Sequence, residues 1–110
     1  MTAPKSPQRA PKHLSRASAA LWRRTLRSHR LEPHDVQLLK LLCEALDATE
    51  AARKVLAEDG TTFLDRFGCP KPRPEVAIER DSRIAAARLV RQLRLDEVPD
   101  DPDDPFDVFN

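Results

Sequence analysis

The hydrophobic pattern divides the chain into three helical stretches separated by short breaks. At about 100° per residue, Leu14, Ser18, Leu21, Trp22 and Thr25 share one side of a helix, with Leu26 at its edge. Arg16, Arg23, Arg27 and Arg30 fall within an arc of about 60° on the other side. Ser15 suits the N-cap of this helix, Leu14 can act as a hydrophobic staple, and the pattern runs to about His29. A second, longer helix is predicted from Pro33, a residue suited to the first helical position, to a stop at Gly60, with Asp35 near its positive end. Its polar residues Gln37, Lys40, Glu44, Asp47, Lys54 and Glu58 make only a narrow stripe, and Val36, Leu38, Leu39, Leu41, Leu42, Cys43, Ala45 and Leu46 fill the rest of its first half. Such a helix needs cover on several sides, which implies a central position against its own chain and against another subunit.

Beyond Gly60 the period changes. Thr61 to Leu64 and the run from Asp65 to Cys69, bounded by Gly60, Gly68, Pro70, Pro72 and Pro74, predict a short β-hairpin or extended loop. A C-terminal helical stretch follows from Pro74 and Glu75 to about Leu95, with Ala86, Leu89, Val90 and Leu93 on one face. Ile84 falls among Arg80, Arg83 and Arg91 on the other side. Either the stretch breaks near Asp81 and Ser82, or Ile84 belongs to a second contact surface. The predicted class is mostly α: a helical hairpin with a long central helix, the β element and a last helix, flanked by a disordered basic arm and a disordered acidic tail.

Charge changes this picture most. The 110 residues carry a formal net charge of +1, yet residues 1–30 contain Lys5, Arg9, Lys12, Arg16, Arg23, Arg24, Arg27 and Arg30 and no acid. Residues 31–95 balance, and residues 96–110 contain Asp96, Glu97, Asp100, Asp101, Asp103, Asp104 and Asp107 and no base. Near neutrality is a cancellation between two ends, and the basic end points to a polyanion. The organisation expected is a flexible basic arm over 1–13, one helical domain for DNA binding and oligomerisation over 14–95, and an acidic tail over 96–110 as a docking peptide. A unit of this size is near the lower limit for a self-sufficient core, which favours association.

Other chemistry is sparse. No apolar run is long enough to span a membrane, and no apolar stretch follows the basic start as in a secretory signal. Cys43 and Cys69 lack the spacing of a zinc site or a disulfide framework, so no cofactor or metal is expected and a reducing cytoplasm is the default. There is no glycine-rich phosphate loop. His34 beside Asp35, with His29, is the one constellation a metal-assisted nuclease would use, but a His-Asp pair at a helix start more often caps the helix. The candidate site is instead the arginine face with the arm: Lys5, Arg9, Lys12, Arg16, Arg23, Arg24, Arg27 and Arg30 as phosphate contacts. Phe106, Val108 and Phe109 are candidate anchors by which the acidic tail docks on a partner; the equal alternative is a solubilising tail that folds back on the basic head. The short link Arg30-Leu31-Glu32 permits either a helical hairpin or a helix-turn-helix, although the first helix has no Asn or Gln to read bases.

The order of these features resembles the small terminase subunit of tailed double-stranded DNA phages. It rests on Pro11-Lys12-His13-Leu14-Ser15, Trp22 with Leu26, Leu31-Glu32-Pro33-His34-Asp35, the run Leu38 to Cys43, Gly60, Gly68, Lys71, Pro74, and Leu89, Leu93 and Leu95. Arg30 and Arg94 depart from it, standing where the resemblance implies glycines. What it implies is a non-enzymatic adaptor, working in the host-cell cytoplasm during phage assembly, that forms a homo-oligomeric ring, binds viral DNA and delivers it to the large terminase subunit, the motor and nuclease. The alternative from the residues themselves is a small dimeric helix-turn-helix transcriptional regulator.

Overall fold

The computed structural model of the chain describes residues 9–97. The first eight residues of the basic arm and most of the acidic tail lie outside them. Three helices and one short hairpin follow in order: α1 (Arg16–Ser28), α2 (Pro33–Asp59), β1 (Thr62–Leu64), β2 (Pro70–Pro72) and α3 (Pro74–Gln92). The class is mostly α, as the hydrophobic periods predict.

Both helix–helix connections are antiparallel hairpins. Ser15 at the start of α1 meets Asp47 of α2, and Ser18 meets Cys43, so residue numbers on the facing helices sum to nearly the value at the connecting turn. α1 therefore lies alongside the first half of α2, whereas a helix-turn-helix crosses at about 90–120°. The same holds for the second pair, where Thr49 Oγ1 is 2.7 Å from Ser82 Oγ and Arg53 is 3.6 Å from Glu79. α3 is unbroken through Asp81 and Ser82, and Ile84 stays exposed on its outer side. The first half of α2 is thus enclosed by α1 and α3, and Leu39, Leu42 and Cys43 are its fully buried residues. Leu14, Trp22, Val36, Ala86 and Leu93 complete the core. Leu41 and Leu46 of α2 remain exposed, so α1 and α3 leave part of its apolar surface open.

Local chemistry sets each boundary. Glu32 and Asp35 form a capping box at the start of α2, with Pro33 in its first turn. Gly60 ends α2 at φ 82°, ψ 178°, a conformation that only glycine adopts without strain. β1 and β2 pair antiparallel with Phe63 opposite Lys71. Asp65 organises their turn: its carboxylate accepts the Phe67 N–H at 2.8 Å and the Cys69 N–H at 2.9 Å, and Gly68 supplies positive φ. Because Thr61–Arg73 and Asp65–Cys69 are hydrogen-bonded positions of the ladder, Pro70 and Pro72 fall at the alternate ones. Neither proline offers an N–H on the outer edge, so another strand cannot pair there.

The end of α3 shows what becomes of the two missing glycines. The Leu95 N–H bonds to the Val90 carbonyl at 2.9 Å and the Arg94 N–H to the Arg91 carbonyl at 3.1 Å, which together make a Schellman turn. Its left-handed position is Arg94, at φ 60°. Arg30 has no positive φ and needs no glycine. Arg94→Gly is therefore expected to stabilise the fold by about 0.5–1 kcal/mol, since the left-handed backbone costs an L-residue more than glycine loses in chain entropy. A higher urea midpoint at unchanged slope would show it, and a lower midpoint would contradict it.

Candidate nucleic-acid interface

α1 presents two opposed faces. Ser18, Trp22 and Thr25 are buried against the rest of the fold, and Arg16, Arg23, Arg24 and Arg27 are exposed; Arg30 is exposed too, but it lies beyond the extended C-cap His29, in the link to α2 and off the helical arc expected for it. Arg9 and Lys12, just before the helix, are exposed as well. None of these seven cations pairs with a carboxylate among the described residues. Unpaired guanidinium groups on one helix face give a positive potential that internal ion pairs do not cancel. Lys5 of the arm and Phe106, Val108 and Phe109 of the tail lie outside the described residues.

An acid-free helix loses the acidic residue that usually sits near its positive end, and α1 has none in its first turn. α2 supplies one. Asp47 Oδ2 accepts the Ser15 N–H at 2.8 Å, and its Oδ1 accepts the hydroxyls of Ser15 and Ser18, each at 2.6 Å. The Ser15 hydroxyl also caps α1 by accepting the Ser18 N–H at 3.1 Å. Burial pushes the Asp47 carboxyl up, but the bonds from Ser15 and Ser18, with His13 nearby, outweigh it and hold the group below the usual carboxylate range. His13 Nε2 lies 2.6 Å from Glu44 Oε2, a second tie between the entry to α1 and α2. Glu44 and Asp47, which the sequence reading places only in a polar stripe, are what orient the arginine face. Their signal was present as the three-residue step between two acids on an otherwise apolar surface, but their partners lie about thirty residues away.

The structure also separates charges that a regional count merges. Residues 82–95 hold Arg83, Arg88, Arg91 and Arg94 and no acid. Arg88, Arg91 and Arg94 are exposed without a carboxylate partner among the described residues, on the end of α3 whose Leu93 shares the core with Trp22 of α1. A shorter charge window along the sequence would have shown this second basic strip.

The other candidate groups have structural settings. Asp35 Oδ1 is 3.5 Å from His34 Nε2, while its Oδ2 accepts the Glu32 N–H of the capping box. Among the described residues no three His, Cys, Asp or Glu side chains are grouped so that they could hold a metal ion. Cys43 is a core residue whose thiol is pushed up to about 11 by burial and by the charges of Asp47 and Glu44. Cys69 is exposed in the hairpin turn. No helix of the described residues is long and apolar enough to cross a membrane.

The family described as phage terminase, small subunit, matches residues 19–98, from within α1 to beyond the end of α3. The chain belongs to this family. Its role therefore lies in phage DNA packaging, the work that the terminase performs. The resemblance drawn from the residues above is the correct one, and the match covers all of α2, the hairpin and α3. No curated protein and no solved structure gives a significant match. Within this family member the Asp47 clasp and the unpaired arginine face are the features that the fold itself positions.

Proposed function

We propose that the chain is a non-enzymatic packaging adaptor that binds double-stranded viral DNA through the outer face of α1 and the arm before it, and delivers that DNA to the large terminase subunit. The observation that carries this reading is the arrangement of α1: one face clamped to α2, the other offering Arg16, Arg23, Arg24 and Arg27, with Arg30 just beyond the helix, none of them with an acidic partner among the described residues. Arg9 and Lys12 precede the same helix, Lys5 of the arm is assigned to the same contacts, and Arg88, Arg91 and Arg94 offer further exposed cations at the end of α3. No Asn or Gln stands in α1, so the contacts are to phosphates and the attraction is largely independent of sequence. Assembly into a homo-oligomeric ring would cover the apolar surface around Leu41 and repeat the basic face in every copy, multiplying weak contacts. The tail residues Phe106, Val108 and Phe109 are the anchors for the large subunit. The antiparallel packing of α1 on α2 speaks against the dimeric helix-turn-helix regulator.

Native mass combined with DNA binding at two salt concentrations tests the proposal. Five phosphate contacts weaken binding roughly 500-fold between 50 and 200 mM salt. A ring of many subunits with that salt dependence is expected. A monomer or dimer would return the regulator to favour, and salt-insensitive binding would remove the phosphate contacts from either reading.

A further inference from the structure

A groove of about 850 Å³ runs between the three helices, on the side where Leu46 of α2 is exposed. Its walls are apolar: Ala17 and Leu21 of α1, Leu46 of α2, and Ala87 and Val90 of α3. Arg53, Lys54 and Arg83 stand at its α2–α3 side. Arg53 and Arg83 share one carboxylate, Glu79, at 3.6 and 3.4 Å, and Lys54 has no ion-pair partner among the described residues. The two acids on the groove are Asp47, bonded to the Ser15 and Ser18 hydroxyls near α1, and Glu50. The groove thus combines apolar walls with three cations gathered at one side, where an apolar ligand with neighbouring negative charge can meet them.

We infer that its occupant is residues 96–110 of the same chain, with Phe106 and Phe109 seated on the apolar walls and the neighbouring aspartates facing Arg53, Lys54 and Arg83. Three observations favour this segment. Its composition is complementary, with seven acids, no base, and the aromatic anchors set among Asp103, Asp104 and Asp107. The chain leaves α3 beside the groove, since the Schellman turn at Arg94 ties the Leu95 N–H to the carbonyl of Val90, a groove residue. The length suffices: the stretch from Leu95 to Phe106 spans up to about 35–40 Å extended, while the wall from Val90 to Arg83 is about 10 Å long. A docked tail withholds its anchors from any other partner and places negative charge next to the basic end of α3, so groove and partner compete for one peptide. Docking in cis does not depend on the packaging role, and its test uses neither DNA nor a motor protein.

The full chain carrying Cys69→Ser, Ala87→Cys and Asn110→Cys is oxidised gently and separated on a denaturing, non-reducing gel. An intrachain disulfide is expected to form at least tenfold faster than in a chain whose first cysteine replaces Ala85, an exposed residue about 160° around α3 from Ala87. Phe106→Ala with Phe109→Ala, and separately Arg53→Glu with Arg83→Glu, are expected to slow it several-fold while circular dichroism shows the helices intact. Equal rates at positions 85 and 87, a product linking two chains, or no effect of removing both phenylalanines would each overturn the docking.

Discussion

Asp47→Ala is expected to destabilise the fold by about 2–3 kcal/mol, because it removes three short hydrogen bonds to a charged acceptor and leaves the buried Ser18 hydroxyl only the longer bond to the Cys43 carbonyl, at 3.3 Å. In a unit of this size that corresponds to a fall in Tm of roughly 10 °C or more. Loss of the clasp frees the start of α1, so the loss should exceed that of an ordinary helix cap, about 1 kcal/mol. A double-mutant cycle with Ser18→Ala isolates the pair. A cost below about 0.5 kcal/mol would mean that α1 is held by Trp22 and Leu14 alone. The pH dependence has a definite sign. The Asp47 carboxyl is held below its unfolded value, so its contribution is complete above about pH 4 and is lost as pH falls through the lower, folded-state value. Asp47→Asn should therefore lose stability at pH 7 and match the parent more closely under acid conditions.

Arg23→Glu combined with Arg27→Glu is expected to weaken DNA binding about 100-fold near 0.1 M salt and to lower the salt slope by roughly 2. Both side chains are exposed and unpaired among the described residues, so the melting temperature should scarcely move. That separation matters, because the Asp47 and arginine variants act on the two faces of one helix. Asp47→Ala affects binding through the placement of α1, and the arginine pair affects it through charge. DNA binding that survives the double reversal with its slope intact would remove α1 from the interface and leave the Arg88, Arg91 and Arg94 strip as the next surface to vary.

These two residues sets also show where reading the sequence stops. The boundaries of α1 and α2 were legible because their signals are local: Ser15 caps within three residues, Pro33 and Asp35 act within one turn, and Gly60 ends a helix by its own backbone freedom. The hairpin was legible for the same reason, from Asp65, Gly68 and the prolines around them. The arginine face needed only the helical period. Asp47 was not legible as a clasp, because a carboxylate in a polar stripe looks the same whether it meets water or a serine thirty-two residues away. The continuity of α3 through Asp81 and Ser82 has no local signal either: Ser82 bonds back to the Ile78 carbonyl at 2.6 Å and across to Thr49 of α2 at 2.7 Å.

The sequence by itself determined the three helices, the hairpin, the opposed faces of α1, the polar distribution of charge and the family, since all of these rest on short-range order along the chain. Tertiary structure alone decided how α1 is fastened where it folds back along α2, that an acid from α2 completes the N-terminus of an acid-free helix, and that three helices enclose a groove beside the point where the tail departs. Each of these joins groups far apart in sequence, and only packing, by removing water from between them, makes their separation in space small and their interaction strong.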